Sequence, residues 1–312
     1  MNDPQPPELM PPVLVDVGTP GGIRAQINLR GAELWTLTDR DGAGLLWSGD
    51  PRVWNGRAPI LFPIVGSLAG GVYRYQGGSY PLHRHGFARH GEFAVVEHDE
   101  ESALLRLVAN DHTRRVYPFD FQLDLRFACG AEALAVSVTV RNSGQDMMPF
   151  SFGFHPALRW PLEPGSVRAG HAILFPAAER APISKLDADG LILPERQPSP
   201  VEGRRLDLRD ELFAADALIF TNLASRSVDY GANDHGAPVG RHIRVDFDNL
   251  PLLGVWTKPG AGYICIEPWQ GMADPEGFSG DIFAKPGIVP LSPGATWAAR
   301  MTLTSTQTAP PQ

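Results

Sequence analysis

Glycine and proline set the limits on how this chain can fold. There are 33 Gly and 30 Pro, spread so evenly that few stretches are long enough for a helix of ordinary length. Between them lie short runs in which apolar and polar residues alternate. Period-two alternation is the signature of strands with one face on a core. Ala133 to Val140 (Ala-Leu-Ala-Val-Ser-Val-Thr-Val) is the plainest of them. Runs at 93–97, 102–109, 121–128 and 133–141 follow one another as a meander, after opening strands at 13–17, 23–29 and 33–38. Val72 to Leu82 reads as a hairpin around Gly77-Gly78. Late strands are predicted at 222–227, 241–247, 252–257, 263–267 and 298–304, with a flexible loop from Gly231 to Gly240. Asp210 to Asp216 has room for a helical turn or two. The expectation is an all-β chain, a large antiparallel β-sandwich. No internal repeat and no linker divides it, so one domain is expected over 13–304, with tails at 1–12 and 305–312.

Charge removes some classes of partner. The formal net charge is -8 and the arginines are scattered, so no basic face offers itself to nucleic acid or an anionic membrane. Cys129 and Cys265 lie in or beside apolar runs and belong to no C-x-x-C pair, which reads as free thiols in a reducing compartment. The first dozen residues have neither a basic nor an apolar segment, and no stretch approaches the length of a bilayer-spanning helix. A cytoplasmic protein is expected, monomer or homodimer.

Three stretches share an unusual composition, with aromatics and glycines around one ionisable side chain. They are His85-Gly86-Phe87, Phe152-Gly153-Phe154-His155-Pro156, and Ile266-Glu267-Pro268-Trp269. In the last, an apolar strand runs into a carboxylate. Pro268 is expected to end the ladder because it has no N–H, and Trp269 supplies a flat face beside the acid. A carboxyl at the end of a buried strand has its pKa raised by desolvation, toward the range of a general base. Each stretch also has a plain reading: a histidine among aromatics is commonly structural, and Glu267 a rim residue paired with an arginine. Together the three describe one cleft with apolar faces that suit a sugar ring. No G-x-S-x-G elbow, H-E-x-x-H pair, Walker A loop or G-x-G-x-x-G turn is present, so neither a metal nor a nucleotide cofactor is called for. What remains is cofactor-free acid/base chemistry, with one group taking a proton as another gives one.

The chain resembles the aldose 1-epimerase (galactose mutarotase) superfamily, in its bacterial LacX-like branch. The resemblance rests on the order and spacing of several motifs: Pro59-Ile60-Leu61-Phe62-Pro63-Ile64-Val65-Gly66, His85-Gly86-Phe87-Ala88-Arg89, Tyr117-Pro118-Phe119-Asp120-Phe121, Pro149 to Pro156, Trp256-Thr257-Lys258-Pro259, and Cys265 to Asp274. It implies a galactose mutarotase-like supersandwich that interconverts the α and β anomers of a free aldose. By motif, Glu267 matches the base that takes the C1 hydroxyl proton, and His155 the acid that protonates the ring oxygen. His85 matches the second histidine, beside the ring oxygen. Family members commonly carry Arg after the Pro-Ile-Val-Gly run, where this chain has Ser67. Arg57, Arg74 and Arg89 are candidate substitutes, and Asp246 and Asp248 are candidates for a sugar-binding aspartate. Trp269 and Gln270 are expected to line the pocket. The resemblance leaves two alternatives: a sugar-phosphate 1-epimerase using Arg57, Arg74, Arg84, Arg89 or Lys258, and a non-catalytic carbohydrate-binding protein.

Overall fold

The computed structural model describes residues 11–308, apart from 19, 164, 235 and 236. The N-terminal tail expected at 1–12 therefore lies almost wholly outside the described residues. Two large antiparallel sheets organise the chain, as the strand pattern predicts. The first has nine strands, in spatial order Arg205–Asp207, His171–Leu174, Ser227–Asp234, Ala237–Asp248, Thr296–Gln307, Ala133–Asn142, Phe121–Cys129, Ser102–Val108 and Ala94–His98. The second has six and holds the residues of interest. Its order is Leu218–Phe220, Leu252–Trp256, Tyr263–Gln270, Phe152–Phe154 and Ile60–Leu61, with Ala157–Arg159 also paired to Tyr263–Gln270.

Side-chain alternation in the six-stranded sheet separates core from site. Successive side chains of a strand point to opposite faces. One face carries Ile264, Ile266, Leu253, Val255, Phe152, Phe154, Leu218 and Phe220 into the main hydrophobic core. The other presents Tyr263, Cys265, Glu267 and Trp269 on the central strand, with Gly153, His155 and Ala157 on its neighbour. Two small apolar clusters flank this face, one around Leu61, Ile219, Leu252 and Trp269, the other around Ala157, Tyr263 and Cys265.

Four expectations are corrected. Pro268 does not end its strand, which runs from Tyr263 to Gln270, with Leu253 opposite the proline. A proline persists there because the neighbouring segment on its other side leaves the ladder. Gly153 pairs with Trp269 and Ala157 with Cys265, and between them the ladder is interrupted, with Ile266 N–H reaching Pro156 O at 3.3 Å. The expected loop at 231–240 is instead a β-hairpin of Ser227–Asp234 and Ala237–Asp248 wherever it is described. The strand expected at 222–227 begins only at Ser227. The final strand continues to Gln307, pairing Ser305, Thr306 and Gln307 with Ile243, His242 and Arg241, so no tail begins at 305.

Candidate active site

His155 and Glu267 face each other because of strand register. The pairings Gly153–Trp269 and Ala157–Cys265 share one register, which sets His155 opposite Glu267 on the same face. His155 Nε2 lies 3.2 Å from Glu267 Oε2. Both are buried, Glu267 at 1% exposure and His155 at 8%. His155 Nδ1, Glu267 Oε2 and Trp269 Nε1 have no hydrogen-bond partner in the protein. Burial drives the Glu267 carboxyl well above the ordinary carboxylate range. Arg84 opposes this, Asp216 adds to it, and Trp269 opposes it more weakly. Burial likewise pushes the His155 imidazole down to about 3, helped by the Arg89 charge. Both shifts favour the neutral forms, so burial works against a standing ion pair between the two groups.

His85 completes this corner. Its ring centroid is 5.8 Å from that of His155, edge to face. Its backbone is left-handed, φ 69°, a conformation costly for a residue with a side chain and common at functional sites. Two bonds to Gly66 hold it there: His85 N–H donates to Gly66 O at 3.0 Å, and Gly66 N–H donates to His85 Nδ1 at 3.1 Å. Burial keeps the ring neutral, so one of its two nitrogens carries a proton and the other accepts. Arg84 Nε–H is directed at His85 Nε2 from 3.3 Å, so the Gly66 and Arg84 donors compete for the one proton-free nitrogen of the ring. Beneath this turn a buried ion pair fixes the loop: Lys285 Nζ meets Asp274 Oδ1 at 2.6 Å, Ala69 N–H donates to Asp274 Oδ2, and Asp274 N–H to Ser67 O.

These groups line a hollow of about 240 Å³, together with Trp54, Trp256, Trp269, Arg84, Arg89 and Asp216. Trp54 lies 5.4 Å from His155 and Trp256 6.1 Å, ring to ring. Trp269 lies flat over two glycines in neighbouring strands. A Cβ on Gly153 or Gly254 would come within 2.5 Å of its ring. Asp216 sits at φ 63°, where Lys185 Nζ is shared between the carbonyls of Leu212, Asp216 and Ala217 at 3.3 Å each. Its carboxylate meets Arg84 at 3.5 Å.

Of the residues singled out in the sequence, Glu267, His155, His85, Arg84, Arg89 and Trp269 come together here. Arg74, Asp248 and Lys258 do not line the hollow, and neither do the four described next. Arg57 stacks on Trp35 at 3.9 Å and donates to its carbonyl. Gln270 points to the opposite face and donates to Gly287 O. Asp246 is paired with Arg244 on the nine-stranded sheet. Ser67 lies just outside the hollow, in an adjoining one. The aspartate that does line the hollow is Asp216, and the second arginine is Arg84. Asp216 sits in an irregular segment with no strand pattern to mark it, and Arg84 is expected from the sequence only as a candidate cation for a phosphate. Cys265 is a further neighbour. One ligand atom each of His155, Cys265 and Glu267 lie within 4.8 Å of one another, a set that His85 does not join.

An antiparallel supersandwich with a carboxyl and two histidines in an aromatic hollow defines the galactose mutarotase-like class of fold. Comparison with known proteins narrows this: the chain belongs to the aldose 1-epimerase family, whose profile matches residues 14–304. The chromosomal Protein LacX of Lactococcus lactis subsp. lactis is 34% identical over 260 residues, covering 80% of this chain and 86% of that protein. A galactose mutarotase related enzyme from Lactobacillus acidophilus superposes with a TM-score of 0.86 at 30% identity, covering 94% of this chain and 97% of that one. A galactose mutarotase-like protein from Lactobacillus casei gives 0.86 at 28%, covering 94% and 100%.

Proposed function

We propose that the protein is an aldose 1-epimerase that interconverts the α and β anomers of a free aldose. The observation that carries this reading is the 3.2 Å approach of His155 Nε2 to Glu267 Oε2 on the wall of a ring-sized aromatic hollow. Ring opening needs a proton taken from the C1 hydroxyl and one given to the ring oxygen, and closure needs the reverse. Glu267 takes the first and His155 gives the second; after the aldehyde carbon rotates, the two exchange roles. Opening leaves the C1 proton on Glu267 and removes one from His155, and closure reverses both, so the pair ends the cycle as it began without exchange with solvent. His85 lines the hollow next to His155, where it supports the group that protonates the ring oxygen. Trp54 and Trp256 offer faces to the apolar side of the ring, and Asp216, Arg84 and Arg89 bind its hydroxyls.

Free sugar is favoured over sugar phosphate as the substrate. Among the five cations considered for a phosphate, only Arg84 and Arg89 line the hollow, and Arg84 is already met by Asp216. Lys258 donates to Val53 O and Arg57 is stacked on Trp35. The test is saturation-transfer NMR of anomer exchange on glucose and galactose, with wild type and Glu267→Gln. The variant is expected to lose about 10²- to 10⁴-fold of the catalysed rate. Exchange at the wild-type rate in Glu267→Gln would remove the base assignment. Sugar binding without rate enhancement in the wild type would favour a binding protein instead.

A further inference from the structure

We infer that this site takes a zinc ion, held by Cys265, His155 and Glu267, and that the ion switches the site off. Inhibition rests on the epimerase reading, whereas the ion site stands on the three side chains alone. The register that sets His155 opposite Glu267 also brings Cys265 beside them. Cys265 pairs with Ala157 and lies two residues before Glu267, on the same face of the central strand. One ligand atom of each of the three lies within 4.8 Å of the other two. His155 Nε2 and Glu267 Oε2 are 3.2 Å apart, yet Oε2 makes no hydrogen bond among the described residues. That spacing suits two ligands of one ion. With bonds of about 2.0–2.2 Å to nitrogen and oxygen and about 2.3 Å to sulfur, tetrahedral ligand atoms sit roughly 3.3–3.6 Å apart. Side-chain movements of about 1 Å would close the whole set around zinc.

The donor set selects the ion. A thiolate and an imidazole suit zinc, while magnesium and calcium ask for oxygen ligands. All three side chains are buried, Cys265 completely, so a charge placed among them must be balanced. Thiolate and carboxylate together cancel the charge of a divalent ion, and the protons they carry leave as it binds. Of the charged groups around the hollow, Asp216 favours a cation and Arg84 and Arg89 oppose one, with Arg84 offset by Asp216 at 3.5 Å. His155 and Glu267 line the hollow and Cys265 does not, so an ion enters past the first two and seats on the thiol behind them. Three protein ligands leave a fourth position open toward the hollow. The ion occupies the lone pairs through which Glu267 accepts a proton and His155 regains one, so both proton transfers stop.

Cobalt(II) and zinc(II) chloride, titrated into the wild-type protein, test the inference. Cobalt is expected to give a thiolate-to-metal charge-transfer band in the near ultraviolet, which zinc added afterwards removes. Saturating zinc should lower anomer exchange on glucose by about 10²-fold or more, as for loss of acid and base together, and a chelator should restore it. Magnesium should neither bind nor inhibit. Cys265→Ser and Cys265→Ala are each expected to lose the band, to weaken zinc binding by about 10- to 100-fold, and to keep catalysed exchange in chelator. Cys129, the other thiol, lies on the nine-stranded sheet and is untouched by either variant. Cobalt bound by the wild type without the thiolate band overturns the inference and needs no variant. A band that persists in either Cys265 variant, or zinc bound as tightly by that variant as by wild type, overturns it too. Metal binding separates it from the reading it rests on. Zinc uptake with the Cys265-dependent band, in a protein that exchanges no sugar, keeps the ion site and discards the epimerase. Catalysed exchange that saturating zinc leaves unchanged keeps the epimerase and discards the zinc switch.

Discussion

Glu267 is held at a cost to folding that a variant can reveal. Its carboxyl is buried and its pKa is raised in the folded protein, so the folded state binds more protons than the unfolded one above the ordinary glutamic value of 4.5. Stability must then fall as pH rises through that window, with a limiting slope of about 1.4 kcal/mol per pH unit. The neutral amide of the Glu267→Gln variant carries no such dependence. The melting temperature of Glu267→Gln, measured against wild type from pH 5 upward, should therefore show an advantage that grows with pH while activity is lost. An advantage independent of pH would mean that the carboxyl is not proton-linked to folding. Activity has its own pH signature. His155 is pushed down to about 3 and Glu267 up, so the two titrations are drawn apart. The rate of anomer exchange should plateau between them, decline in acid as His155 takes a proton, and decline in alkali as Glu267 loses one. A sharp optimum near the ordinary histidine value would contradict that separation.

The strands explain why some of this was legible in the sequence and some was not. Ala133 to Val140 alternates without interruption, and the strand Ala133–Asn142 is where the alternation predicts it. The hairpin around Gly77 and the strand Glu33–Thr38 are equally local and equally readable. Pro268 misleads because its missing N–H matters only if a neighbour needs it, and the ladder to Phe152–Phe154 stops at Trp269, one residue short of it. Glycines mislead at 231–240, where they sit within a hairpin rather than a loop. His85, His155 and Glu267 were legible through their motifs, but Asp216 and Arg84 reach the hollow only through tertiary packing. The strand glycines under Trp269 carry a test of that packing. Gly153→Ala would place a Cβ 2.5 Å from the indole and drive it into the hollow. A loss of about 1–3 kcal/mol in stability is expected from overpacking. The affinity for sugar should fall with it. Gly130→Ala, whose Cβ meets nothing nearer than 3.7 Å, is the control and should change neither. Unchanged sugar binding in Gly153→Ala would mean that Trp269 does not shape the hollow.

At the scale of the whole molecule, charge and architecture act together on which sugar arrives. Two sheets enclose one continuous core, and the last strand, Thr296–Gln307, sits at the middle of the nine-stranded sheet, between Ala237–Asp248 and Ala133–Asn142. Among the described residues no helix is long and apolar enough to cross a membrane. The formal net charge of -8 surrounds a hollow whose two arginines are partly offset by Asp216. A dianionic sugar phosphate approaching such a molecule is repelled at long range, and the repulsion is screened over about 8–10 Å at physiological salt. A neutral aldose feels neither effect. Anomer exchange measured on glucose and glucose 6-phosphate across a salt series should therefore show a higher kcat/KM for glucose at low salt. The glucose value should stay flat with added salt, while the glucose 6-phosphate value rises toward it. A phosphate enzyme would behave in the opposite way: its basic clamp would make glucose 6-phosphate the better substrate at low salt, and salt would erode that preference. The sign of the salt dependence thus separates the two epimerase readings without any variant, because it reports the charge that the substrate meets.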